Sequence, residues 1–67
     1  MSTKISLKAA RVNADLTLDE ASKLLEINRN TLMKWEKEPW IISALYMDKI
    51  SKIYNLSIND INFLPNK

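Results

Sequence analysis

The sequence predicts a small all-α domain, and three observations support this fold class. Apolar residues recur at helical spacing along most of the chain, so each segment can bury one face. Residues that favour helix starts precede several of these segments. Glycine is absent, and the asparagines that tolerate positive φ stand where helices would begin or end: Asn13, Asn28, Asn55 and Asn59. With 46% apolar and 27% charged residues, the chain has the composition of a globular protein.

The composition also excludes several function classes. The chain has neither Cys nor His, so it can form neither a disulfide framework nor a zinc site. No catalytic set that names a reaction can be assembled, and we expect no enzyme, cofactor or small-molecule substrate. No apolar run approaches a membrane span and no signal core is present, which predicts a cytoplasmic protein with no membrane contact.

The 67 residues are expected to form one domain, residues 1–67, with an N-terminal arm at 1–4 and a C-terminal tail at 65–67. The first helix is predicted to start at Ser6 and to end at Asn13 or Ala14. Lys4, Lys8 and Arg11 are spaced to share one face of it.

The second helix is predicted to begin at Leu18, because Thr17 and Glu20 have the spacing of a capping box. Its inward residues are expected to be Ala21, Leu24 and Leu25. Glu26 lies where the chain must turn sharply after this helix, and a left-handed conformation, which such a turn often demands, would cost roughly 1 kcal/mol relative to glycine.

The third helix is predicted to span Arg29–Lys37, with Asn28 as its N-cap and Leu32 and Trp35 facing the core. Pro39 ends it, because proline disfavours helical geometry at the preceding residue.

A fourth helix over Ala44–Tyr54 places Leu45 or Tyr46 on its apolar face, and Asn55 ends it. We interpret Trp35, Tyr46 and Tyr54 as structural. A fifth helix is predicted over residues 58–63, since Ser57 and Asp60 repeat the capping signature. It would contribute Ile58, Ile61 and Leu64 to the core.

Helices two and three, joined by a turn of about three residues, have the spacing of a helix-turn-helix. In such a unit the first helix crosses the phosphate backbone and the second enters the major groove. The net charge of +2 and the pI near 9.0 permit nucleic-acid binding without requiring it.

Two stretches, "ISLKAARVNADLTLDEASKLLEINRNTLMKWEK" and "MDKISKIYNLSINDINFLP", resemble the Cro and repressor class of XRE-like helix-turn-helix proteins. Within this class they resemble more closely the small regulators of temperate phages of low-GC Gram-positive bacteria. The resemblance implies a five-helix, lambda-repressor-like domain, often a homodimer. It also implies binding to double-stranded operator DNA in the choice between lysogenic and lytic growth.

The resemblance assigns base reading to the exposed positions of the third helix. Arg suits guanine, Asn suits adenine, and apolar atoms suit a thymine methyl group. The expected DNA-binding residues are Arg29, Asn30, Thr31, Met33, Lys34, Lys37 and Thr17. Further phosphate contacts could come from Lys4, Lys8 and Arg11. The alternative is that these side chains form an ordinary solvated helix face.

Three departures from the family pattern favour a second hypothesis. Leu18 replaces a common Gln, Glu26 replaces a common Gly, and the polar loop after the third helix becomes Glu38-Pro39-Trp40-Ile41-Ile42. Asp19 and Glu20 also put negative charge where phosphate should lie. The alternative is an antirepressor that binds the phage repressor, with partner contacts at Trp40, Ile41 and Leu18. Ile41 or Ile42 should be core, and Trp40 is either core or an interface residue.

Overall fold

A computed structural model describes residues 4–65 and confirms the all-helical class. Four α-helices follow one another: α1 Leu7–Asn13, α2 Leu18–Leu25, α3 Arg29–Lys37 and α4 Ala44–Tyr54. Two short 3₁₀ turns, Pro39–Ile41 and Ile58–Asp60, complete the order. None of the helices described for residues 4–65 has the length and apolar character of a membrane span.

Side-chain caps fix where the α-helices begin. The Ser6 hydroxyl accepts from the Ala9 amide at 3.0 Å, and the Asn28 side-chain oxygen accepts from the Asn30 amide at 2.7 Å. Thr17 and Glu20 form the complete capping box. These contacts satisfy amides that have no partner inside their own helix. The predicted starts of α2 and α3 are therefore confirmed.

The chain turns after its helices with non-glycine residues in the left-handed region. Glu26 has φ 58° and Asn55 has φ 56°, as the sequence predicted for both turns. After α1 the left-handed residue is Asp15, with φ 59°, and not Asn13, which is the last residue of the helix. Short polar side chains tolerate this region better than glutamate does.

Replacing Glu26 with glycine is expected to raise the free energy of unfolding by about 0.5–1 kcal/mol. The change removes the β-carbon clash at positive φ, and the greater freedom of the unfolded chain offsets part of the gain. Glu26→Ala is the matched control, because it keeps the β-carbon and loses the same exposed contact to Lys49. In urea denaturation, Glu26→Gly should have a higher free energy of unfolding than Glu26→Ala. The reverse order would rule out strain at this turn.

The hydrophobic core draws on every helix and on the C-terminal segment. The α2 helix packs against both α3 and α4. Ile42 is buried while Ile41 is exposed, and Tyr46 rather than Leu45 packs against the core. The fully or nearly buried hydrophobic residues are Leu7, Ala10, Ala21, Leu25, Leu32, Ile42, Ile50, Tyr54, Ile61 and Phe63.

The prediction of a fifth helix over residues 58–63 is wrong. Only one 3₁₀ turn, Ile58–Asp60, forms before the chain extends at Ile61. The Asn62 amide, which a continuing α-helix would bond to the Ile58 carbonyl, donates instead to the Ile5 carbonyl at 2.8 Å. The Ile5 amide in turn donates to the Asp60 carbonyl at 2.9 Å. The C-terminal segment is thus fixed to the start of the chain rather than coiled on itself.

Three residues that were predicted to lie in the core are exposed: Leu24, Ile58 and Leu64. Ile58 and Leu64 lie on the surface, and Phe63 is buried in the extended segment. Leu24 is also 51% exposed, because the inward stripe of α2 is Leu18, Ala21, Ser22 and Leu25. That i, i+3, i+4, i+7 spacing leaves Leu24 beside the stripe.

Candidate nucleic-acid interface

The start of α2 is held by reciprocal hydrogen bonds. The Thr17 hydroxyl accepts from the Glu20 amide at 3.1 Å, and the Glu20 carboxylate accepts from the Thr17 amide at 2.9 Å. The amide of Thr17 and then its hydroxyl lower the pKa of Glu20 below its ordinary value. Since the Thr17 amide is already bonded to Glu20, Thr17 can donate to a phosphate only through its hydroxyl, which must then turn away from the Glu20 carboxylate.

The α3 helix presents one polar face to solvent. Its exposed positions follow i, i+1, i+4, i+5, i+8 spacing, and Leu32 on the opposite side is completely buried. Thr31 is only half-buried and lies at the edge of this face. The structure therefore brings five of the predicted DNA-binding residues onto one surface: Arg29, Asn30, Met33, Lys34 and Lys37.

An exposed ion pair connects the first turn of α2 to the first turn of α3. Arg29 Nε lies 3.2 Å from Asp19 Oδ1, and both side chains are more than half exposed. The acidic start of α2 thus has a partner on α3, which the sequence analysis missed. Opposite charges at the starts of both helices were the available signal. Because the pair is solvated, Arg29 can leave Asp19 at little cost.

A nearly buried ion pair joins α1 to α3. Arg11 Nε donates to Glu36 Oε2 at 2.7 Å, and their side chains are only 9% and 11% exposed. A second guanidinium nitrogen donates to the Leu16 carbonyl at 2.9 Å. The interpretation of Arg11 as a free phosphate contact is therefore wrong, because its donors are turned into the domain.

Tyr54 of α4 lies in the electrostatic environment of this pair. Its hydroxyl is buried and has no hydrogen-bond partner among residues 4–65. Burial raises the pKa of Tyr54 to about 12, with the charge of Glu36 adding to the rise and that of Arg11 opposing it. The phenol is therefore held in its neutral form.

An open groove runs between α1 and α3 and passes the start of α2. Its volume is about 690 Å³. We call this the α1–α3 groove, and it contains the predicted phosphate residue Lys8 as well as Leu18. Lys4 is exposed but does not line it. The lining residues are Lys8, Arg11, Leu18, Met33, Lys34, Glu36, Lys37 and Glu38.

Two of the three predicted partner residues, Leu18 and Trp40, line neighbouring concavities, whereas Ile41 lines neither. Trp40 and Ile41 on the first 3₁₀ turn are 45% and 44% exposed. Trp40 and Leu64 line a small cavity of about 140 Å³, whereas half-buried Leu18 lines the α1–α3 groove. Glu36 and Lys37 line both concavities.

Trp35 and Tyr46 have a structural role, as predicted. Their rings meet edge to face with centroids 5.1 Å apart, and both side chains pack against the core. Lys49 places its ammonium 5.4 Å from the centre of the Tyr46 ring. Within residues 4–65, no cluster of acidic side chains is placed to hold a metal ion.

Comparison with known protein families matches residues 7–61 to the helix-turn-helix family. No curated protein and no solved structure gives a significant match. The matched residues extend from the start of α1 to Ile61, one residue beyond the second 3₁₀ turn, so they include the capped α2–turn–α3 unit described above. Members of this family bind double-stranded DNA and are usually not enzymes. The chain therefore belongs to the XRE-type helix-turn-helix family of DNA-binding transcription regulators.

Proposed function

We propose that the protein is a phage-type, Cro-like regulator that reads operator DNA with α3 in the choice between lysogenic and lytic growth. The observation that carries this proposal is the exposed α3 face, on which Arg29, Asn30, Met33, Lys34 and Lys37 lie together. The phage assignment is supported by the resemblance of the "KAARVNA" and "NDINFLP" segments to such regulators.

The side chains of this face suit separate tasks on a duplex. Asn30 would bond adenine, Arg29 would bond guanine, and Met33 would contact a thymine methyl group. Lys34 and Lys37 would contact phosphates together with Lys8 of α1. Thr31 and Thr17 would add hydroxyl contacts. Two copies bound as a homodimer would place their α3 helices on half-sites one helical turn of DNA apart.

Arg29→Ala and Asn30→Ala are each expected to weaken binding to an operator sequence, obtained by selection from random duplex DNA, by about 1–3 kcal/mol. Both positions are exposed, so thermal melting should be nearly unchanged. Fluorescence anisotropy with labelled operator DNA measures the loss. Operator affinity equal to that of the wild type in both variants would contradict reading by α3.

Three further variants extend this experiment, and the last of them is a control. Asp19→Asn removes the partner of Arg29 and a negative charge near the expected phosphate path, so binding should strengthen. Lys34→Ala should reduce the salt dependence of operator affinity by the amount that corresponds to about one phosphate contact. Lys52→Ala, an exposed lysine on α4 paired with Asp48, should leave it unchanged.

A second candidate function is favoured by the exposed apolar residues beside α3. In it the protein acts mainly as an antirepressor that binds the phage repressor through Trp40, Ile41 and Leu18, with weak or partner-dependent DNA binding. Trp40 adjoins a cavity that could receive a partner side chain, and exposed tryptophan is enriched at interface hot spots.

Trp40→Ala tests the second candidate. It is expected to weaken the complex with the co-encoded repressor by about 2 kcal/mol or more while helix content stays intact. Leu24→Ala is the matched control, since Leu24 is a similarly exposed apolar residue on α2. Isothermal titration calorimetry of the repressor into each variant should show a lower affinity for Trp40→Ala than for Leu24→Ala. Equal affinities for Trp40→Ala and wild type would rule out this contact.

A further inference from the structure

We infer that the α1–α3 groove is a docking site for an acidic amphipathic helix of a partner protein. The inference goes beyond the proposed DNA reading, because it assigns the groove a protein ligand of defined chemistry. It rests on the apolar residues inside the groove and on the lysines around it.

Half-buried Leu18 and exposed Met33 are the two apolar residues that line the groove, and we call this pair its apolar floor. Met33 is exposed and unbranched, and methionine adapts to apolar side chains of varied shape. The side chains of Leu18 and Met33 offer no donor to a phosphate, and the neighbouring Thr17 amide is bonded to Glu20. Apolar side chains from successive turns of a helix would cover the floor.

The rim of the groove is positively charged. Lys8, Lys34 and Lys37 supply three positive charges, whereas Glu38 supplies one negative charge. The charges of Arg11 and Glu36 cancel within their ion pair. The groove lining therefore carries a net charge of +2, three minus one, beside the two apolar residues. Glutamates or aspartates flanking an apolar stripe complement it, whereas a basic helix would be repelled.

The site overlaps the face proposed to read DNA. Met33, Lys34 and Lys37 belong both to the exposed α3 face and to the groove lining. A helix bound in the groove would cover them, so docking and DNA binding should exclude each other. Such a partner would release the protein from its operator.

The test uses a fluorescein-labelled synthetic helix of about 15 residues, with leucines at i, i+3, i+4 and i+7 and glutamates on both flanks. A scrambled peptide of the same composition and a version with lysine for glutamate are the peptide controls. Fluorescence anisotropy should show that the full chain binds the leucine–glutamate peptide and neither of the two control peptides. Added duplex DNA should displace it.

Leu18→Gln separates the groove from the DNA-reading face. It removes apolar floor and supplies a donor toward phosphate, so peptide affinity should fall about tenfold while DNA affinity does not fall. Leu18 packs partly against the core, so Met33→Gln, at an exposed position, provides the second floor variant. Lys8→Gln should also weaken the peptide, whereas Lys52→Gln on α4 should not.

Equal binding of the scrambled peptide would overturn the inference. So would peptide affinity that is unchanged in both Leu18→Gln and Met33→Gln, or a ternary complex with DNA. Peptide binding is measured directly, so its result does not depend on operator binding. If the peptide binds as expected and DNA does not bind, the proposed function fails and the docking site stands.

Discussion

Glu36→Ala is expected to destabilise the protein strongly. The substitution leaves the Arg11 guanidinium nearly buried without its carboxylate partner, and breaking such a pair costs about 3–5 kcal/mol. A chain of 67 residues is expected to have a total stability of about 3–10 kcal/mol. The loss of one carboxylate therefore removes from about a third of the available stability, at the upper end of that range, to all of it at the lower end.

Urea denaturation followed by tryptophan fluorescence measures this effect. The double variant Arg11→Met with Glu36→Leu replaces the whole pair by apolar side chains and is expected to recover most of the stability. Asp48→Ala, which breaks an exposed pair with Lys52, is the matched control and should change little. A Glu36→Ala variant as stable as Asp48→Ala would show that the Arg11–Glu36 pair does not hold α1 to α3.

The protein is expected to lose about 2–3 kcal/mol of stability as the pH rises from about 10 to 12. In the unfolded chain Tyr54 ionises near pH 10.0, whereas in the folded protein its pKa is about 12. Between these values the unfolded state has released a proton that the folded state still holds. Stability is therefore fully present below pH 10 and falls until the folded pKa is passed.

Tyr54→Phe isolates this contribution. It should remove the tyrosine part of the decline and should not destabilise the protein at pH 7, because the hydroxyl has no hydrogen-bond partner within residues 4–65. Tyr46→Phe leaves Tyr54 in place and should keep the decline. Equal loss of stability above pH 10 in the wild type and Tyr54→Phe would assign the decline to other groups.

Local signals in the sequence were sufficient to predict much of the fold. The bounds of α3 and the start of α2 follow from caps within three residues of each helix start, and the Glu26 turn follows from the spacing of α2 and α3. The C-terminal segment could not be predicted this way. Its conformation depends on backbone bonds to Ile5, more than 50 residues earlier in the chain.

The candidate site shows the same division between local and distant causes. Helical spacing was sufficient to place Arg29, Asn30 and Lys34 on one exposed face. It could not show that Arg11 turns inward to Glu36, since both an exposed and a buried arginine fit the same position on α1. The α1–α3 groove was likewise not predicted, because it depends on how three helices meet in space.

Selection of binding sites from a random double-stranded DNA library tests the central claim most directly. The wild-type protein is predicted to enrich a defined motif, and Asn30→Ala is predicted to lose the preference for adenine at one position while retaining the flanking preferences. Enrichment should persist at a second, higher salt concentration with lower overall affinity. Failure of the wild type to enrich any motif, or an identical motif from Asn30→Ala, would contradict operator reading by α3.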